Sequence, residues 1–111
     1  MNFQLTEEHK MIRDAAKEFA RNELLPGVIN RDEGQIFPQE QVAKLGELGF
    51  LGMMVDPQYN GSGLDTISYV LAMEEISKVD ASCSVVMSVN NSLVCWGIES
   101  FGTEFQKDKY L

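Results

Sequence analysis

Eighteen consecutive positions, residues 81–98 (ASCSVVMSVNNSLVCWGI), carry no charge, and no other feature constrains the chain as much. The stretch only just reaches the length of a bilayer crossing. Seven of its eighteen residues are Ser, Asn or Gly, and Asp80 and Glu99 close its ends without basic or aromatic belts. Transmembrane helices carry such belts at their interfaces, so the stretch reads as a helix of a water-soluble domain, buried on most of its sides. At 100° per residue, Val85, Val86, Val89, Leu93 and Trp96 share one arc, and Cys83, Met87, Val94 and Ile98 a second. Between them runs a narrow stripe of Ser84, Ser88, Asn91 and Ser92, small enough for close backbone approach and able to satisfy buried polar groups.

No run of the chain alternates as a strand does; its apolar residues keep helical spacing. A first helix is expected from Thr6 as N-cap, with Glu7 and Glu8 where the helix dipole favours acids. Its inner face reads Ile12, Ala15, Ala16, Phe19 and Ala20, and Pro26 ends it. Residues 30–40 read as a polar connection. A second helix opens near Pro38, turns Val42, Leu45 and Leu48 inward, and stops at Gly49. The run FLGMMV (50–55) reads as extended, and DPQYNGSGLD (56–65) as a loop of turn formers. A third helix follows over about 65–79, carrying Ile67, Val70, Leu71, Met73 and Ile76. The last opens at Thr103, with Gln106 completing a capping box. It shows no stop signal before Leu111, so the chain is expected to continue within a longer protein. The predicted fold is all-α: one domain over residues 1–111, an orthogonal or up-down bundle of about five to six helices.

Nine basic residues scattered among seventeen acidic ones give a net charge of −8, which excludes a nucleic-acid surface. Cys83 and Cys95 would lie roughly 18 Å apart along one helix, too far for a disulfide, and read as reduced, buried thiols. The N-terminus MNFQLTEEHK has neither region of a secretory signal, and a cytoplasmic location is expected. His9, the sole histidine, reads as a solvated side chain; with two distant cysteines it makes no metal site. GSGLDT has Thr66 where a dinucleotide fingerprint needs its third glycine, and no strand precedes it. Glu74 and Glu75 point about 100° apart and cannot easily share a proton; Glu74 is placed to pair with Lys78. No serine or cysteine has a base positioned nearby in the sequence, so no catalytic residue is assigned.

Five segments then occur in a recognisable order: LTEEHKMIRDAAKEFARNELLP, FPQEQVAKLGELGF, YNGSGLDTISYVLAMEEIS, MSVNNSL and FGTEFQKDKYL. Together they resemble the N-terminal helical domain of an acyl-CoA dehydrogenase over essentially the whole chain, and VMSVNNSL is most similar to the short-chain (butyryl-CoA) branch. The resemblance implies a parent with a further β-domain and a C-terminal helical domain, both outside this chain. Such an enzyme oxidises an acyl thioester to its 2,3-enoyl form. A glutamate takes the α-proton, FAD accepts the β-hydride, and an electron-transferring flavoprotein collects the electrons. The base and most flavin contacts belong to the later domains, so the chain alone is expected to be inactive.

By the same resemblance, Val85, Val86 and Val89 wall the far end of the acyl pocket. Ile12, Phe19, Leu48, Phe50 and Leu64 form a groove for an apolar side chain of the flavoprotein. Ser62 stands where a leucine of that groove is often found, and Gly61 and Gly63 replace two adjacent glycines. A tetrameric parent is implied, and self-association of this chain is expected. Two other readings keep the fold: a stand-alone helical interaction module, or an acyl-CoA oxidase-like relative that passes electrons to oxygen.

Overall fold

The computed structural model describes residues 3–111, and among them the fold is all-α. Helix α1 (Glu7–Phe19) continues through a π-helical turn over Ala20–Leu24. Helices α2 (Val28–Glu33) and α3 (Gln39–Glu47) follow, then a 3-10 turn at Pro57–Tyr59 and α4 (Thr66–Ser77). α5 (Ala81–Ser88), a π segment (Val89–Cys95) and α6 (Trp96–Phe101) form one unbroken helix of 21 residues. α7 (Glu104–Tyr110) closes the described chain. α1 packs along α4, and α4 along α5.

The caps follow the sequence closely. Thr6 and Thr103 each complete a capping box, while Asp65 and Asp80 accept the backbone N–H groups of Ser68 and Cys83 to open α4 and α5. Pro38 precedes α3, and Gly49 beyond its end takes a φ of 86°, which only glycine adopts without strain. The core gathers Ala16 and Phe19 of α1 and Ala20 and Leu24 of the π turn with Leu45, Phe50, Met53, Ala72, Ile76, Cys83 and Met87.

Four expectations need correction. Residues 30–40 are not simply a polar connection, because α2 occupies their first part. The run FLGMMV is coiled into turns, since side chains of the 81–101 helix bond its backbone in place of any strand partner. Leu48 is 59% exposed and does not belong to an inner face, because α3 ends at Glu47 and the chain turns away there. Ala15, Ile67 and Val70 are also exposed, leaving Ala16 and Phe19 of α1 and Ala20 of the π turn as the buried apolar residues of that face. At Gly61, an added Cβ would run into the backbone of Val55, so this loop position excludes any side chain.

Candidate functional site

The helix over Ala81–Phe101 has the length and apolar character of a membrane span. Its buried side, however, is wired into the domain. Asn91 accepts the N–H of Met53 (2.8 Å) on Oδ1 and donates through Nδ2 to the carbonyls of Phe50 (2.8 Å) and Met87 (2.9 Å). Asn90 donates to the Leu51 carbonyl (2.6 Å), and the Tyr69 and Ser92 hydroxyls bond at 2.8 Å. The buried face repeats every four residues: Cys83, Met87, Asn91 and Cys95, with Ser84 beside them. An α-helix drifts about 40° with each such step. The wider π turn rotates each residue less and counters that drift, which keeps the face aligned on residues 50–53.

The opposite face corrects the reading of a helix buried on most sides. Val85 (59%), Val89 (44%), Leu93 and Trp96 are exposed, and Val86 is half-buried. The three valines assigned to an acyl pocket therefore lie on an accessible apolar arc, not in this domain's own core. Asn90 and Asn91 both spend their side-chain bonds within the domain.

The second assigned set lies near the start of the chain. Ile12, Leu48, Phe50 and Leu64 line one depression of about 300 Å³, together with Glu8, Met11, Ala15, Gly49, Met53 and Ser62. Phe19 lines an adjoining depression that shares Ala15, Leu48 and Phe50 with the first. All five residues thus fall along one shallow groove between α1 and the turns after α3. Phe50 and Phe19 are buried in its floor, while Leu48 stands exposed at its rim. The Ser62 hydroxyl donates to the Gly49 carbonyl at 3.3 Å.

Beside this groove, His9 departs from its expected role. It is 8% exposed and serves as the third helical residue of α1's capping box: Nδ1 accepts the Thr6 N–H at 3.2 Å, and Thr6 Oγ1 accepts the His9 N–H at 3.1 Å. Nε2 lies 2.9 Å from Asp65 Oδ2. The Thr6–His9 spacing is that of a capping box, but the pattern is usually read for Glu or Gln, which hid the imidazole. The His9 bond, then the Ser68 N–H, hold the Asp65 carboxyl down to about 2. A carboxyl depressed by folding stabilises the fold at pH values above its unfolded pKa, near 4, and loses that contribution as pH falls through 2. Acid unfolding of the chain is therefore expected to steepen between pH 4 and pH 2. Asp65→Asn should flatten that window, as followed by circular dichroism.

The remaining reactive groups are structural. Burial, then Asp80, pushes the Cys83 thiol up to about 12, far from thiolate chemistry, and Cys95 is raised by burial and Glu99. Both thiols are free and buried. Tyr59 donates to Glu104 at 2.8 Å, which raises its phenol to about 12. Lys78 pairs with Glu74 (3.9 Å) and more closely with Glu75 (3.2 Å). Among the described residues no group of His, Cys, Asp and Glu is placed to hold a metal. What the geometry offers is two apolar surfaces held by buried polar bonds, one on the 81–101 helix and one beside α1.

Residues 6–111 match the family described as "Acyl-CoA dehydrogenase, N-terminal domain". The chain is 42% identical over 111 residues to the short-chain specific acyl-CoA dehydrogenase of Clostridium acetobutylicum, covering all of this chain and 29% of that protein. It is 44% identical over 108 residues to the mitochondrial short-chain specific acyl-CoA dehydrogenase of Rattus norvegicus, covering 97% of this chain and 26% of the relative. Among solved structures, butyryl-CoA dehydrogenase from Megasphaera elsdenii superposes with a TM-score of 0.92 at 38% identity, covering 100% of this chain and 30% of that one. A chain from a structure described as "Electron transferring flavoprotein of Acidaminococcus fermentans: Towards a mechanism of flavin-based electron bifurcation" superposes with a TM-score of 0.96 at 48% identity, over 100% of this chain and 29% of that one. The chain spans less than a third of the length of the curated relatives it matches.

Proposed function

This chain belongs to the acyl-CoA dehydrogenase family, and from that premise we propose that it is the N-terminal domain of a short-chain acyl-CoA dehydrogenase. The parent oxidises a short acyl-CoA to the trans-2-enoyl-CoA and passes the electrons to an electron-transferring flavoprotein. The observation that carries this reading is the two-sided helix over Ala81–Phe101. A helix apolar on both sides is ordinarily covered on both. Here one side is fixed in the domain by Asn90 and Asn91, while the other exposes Val85, Val89, Leu93 and Trp96. An acyl chain and the parent's other domains are what would cover that second side.

In this reading Val85, Val86 and Val89 close the far end of the acyl pocket and limit chain length. Each methylene admitted or excluded changes binding by about 1–3 kcal/mol, so short-chain preference is graded. Val89→Ala in the full-length enzyme is expected to raise kcat/KM for hexanoyl-CoA relative to butyryl-CoA by about tenfold. An unchanged ratio in both Val85→Ala and Val89→Ala enzymes would remove the valines from the pocket wall.

FAD, when bound, supplies the hydride acceptor of this reaction. The residues here do not fit its pyrophosphate by themselves. The depression of about 290 Å³ at the start of α5 sets Asp32, Glu33 and Asp80 against Arg31 alone, and that guanidinium is already bonded to Asp80 and two carbonyls. Flavin contacts and the catalytic base are accordingly assigned to parts of the enzyme outside this chain. This domain's own tasks are to shape the pocket and, at the groove of Ile12, Phe19, Leu48, Phe50 and Leu64, to receive an apolar side chain of the flavoprotein. The resemblance to the structure described as an electron transferring flavoprotein supports that partner. A tetrameric parent belongs to the same reading, with the exposed apolar residues of this chain facing the rest of the assembly.

A further inference from the structure

The groove assigned to the flavoprotein has two walls built from different parts of the chain. One is α1, through Glu8, Met11, Ile12 and Ala15; the other includes Ser62 and Leu64, at the approach to α4. Close to the groove, the His9 side chain joins the starts of these two helices. His9 lies between Glu8 and Met11 in sequence, and Asp65 directly follows Leu64. Nδ1 accepts the Thr6 N–H, so the proton of the neutral ring resides on Nε2, which donates to Asp65 Oδ2 at 2.9 Å. The other Asp65 oxygen accepts the Ser68 N–H at 2.9 Å and caps α4. One imidazole therefore fixes the cap of α1 to the cap of α4.

We propose that His9 is a positioning residue for the docking groove: its Nε2–H bond to Asp65 sets the separation of the Ile12 and Leu64 walls. The inference rests on the docking reading above and adds to it a residue outside the groove lining. His9 itself contacts no partner and does no chemistry. It acts by holding the starts of the two helices together through its side-chain bonds to Thr6 and Asp65.

The capping chemistry of this chain supplies variants that separate the tie from the caps. Gln106 already fills the same capping-box position opposite Thr103, so His9→Gln keeps the α1 cap and loses the link to Asp65. Asp65→Ser keeps an N-cap for α4 and loses the same link. In the full-length, flavin-loaded enzyme, both variants are expected to raise KM for the electron-transferring flavoprotein by about three- to tenfold, within the usual range of pairwise coupling. The double variant should be no worse than either single one. Butyryl-CoA oxidation with phenazine methosulfate as acceptor should keep its kcat and KM, which a general loss of structure would not allow. Leu48→Asp serves as the groove control. If it raises KM for the flavoprotein while His9→Gln and Asp65→Ser do not, the positioning role is overturned and the groove stands. If none of the three changes that KM, the docking reading fails and takes this inference with it.

Discussion

Replacing Arg31 by methionine is expected to destabilise the domain by about 3–5 kcal/mol, because the change strands a buried charge. The Arg31 side chain is only 13% exposed, and its guanidinium reaches three acceptors, two just before α2 and one at the start of α5. Nη2 donates to Asp80 Oδ2 (3.1 Å) and to the Leu24 carbonyl (2.7 Å) at the end of the π turn after α1, and Nη1 donates to the Pro26 carbonyl (3.0 Å). Asp80, 8% exposed at its side chain, in turn caps α5 through the Cys83 N–H. Removing Arg31 leaves a buried carboxylate and two carbonyls without these donors at once. Nε is buried without a partner, which limits what the ion pair contributes but not what its loss costs. Arg31→Lys should rescue little, since one ammonium cannot reproduce a planar fork aimed at three acceptors. Adding Asp80→Asn to Arg31→Met should recover part of the loss by removing the stranded charge. Urea unfolding checks this: the midpoint should fall with little change in slope. An unfolding free energy within about 0.5 kcal/mol of the parent's, the usual range for plain surface changes, would contradict the clasp.

The second large effect is expected at Asn91, which is 3% exposed. Asn91→Leu keeps similar bulk but leaves the Met53 N–H and the Phe50 carbonyl unsatisfied in the core, a cost of about 3 kcal/mol. Asn91→Asp separates shape from hydrogen bonding. It retains the outline and can still accept from Met53, but it sets a carboxylate against the Phe50 and Met87 carbonyls, and should be at least as damaging. Asn90→Leu loses its short bond to Leu51 at a half-buried position and should cost about 1 kcal/mol. If Asn90 and Asn91 substitutions had equal effects, residues 50–53 would not be held as described. The consequence reaches the proposed docking groove, because Phe50 and Met53 line it.

Helix starts with a side-chain cap were legible because a cap is local: Thr6 and Thr103 each bond an N–H three residues on, whereas α2, which opens at Gly27 without one, was missed. Fold class followed from the helical spacing of apolar residues, which short π turns interrupt without erasing. The face of the long helix was not legible for the reason those turns supply. A 100° wheel placed Val94 and Ile98 with Cys83 and Met87, whereas the π segment brings Asn91 and Cys95 there instead. Burial also failed as a guide at Val85, Val89, Ile67 and Val70, apolar side chains that this chain leaves exposed. The clasp at Arg31 and the tie at His9 span 49 and 56 residues of sequence, and no spacing rule announces partners so far apart. The groove residues were named from family resemblance, not periodicity. Their meeting along one groove depends on the turn after α3, where Leu48 leaves the core side and Phe50 returns to it.

The central claim is that this domain belongs to a flavin-dependent enzyme acting on short acyl thioesters. Its most direct test is the visible spectrum of the full-length gene product, recorded without oxygen before and after adding butyryl-CoA. The expected result is a flavin band that bleaches with butyryl-CoA more completely than with long-chain or branched acyl-CoA. A flavin indifferent to butyryl-CoA but reduced by longer thioesters would contradict the short-chain assignment and the role of Val85, Val86 and Val89. A protein with no flavin band would contradict the account as a whole.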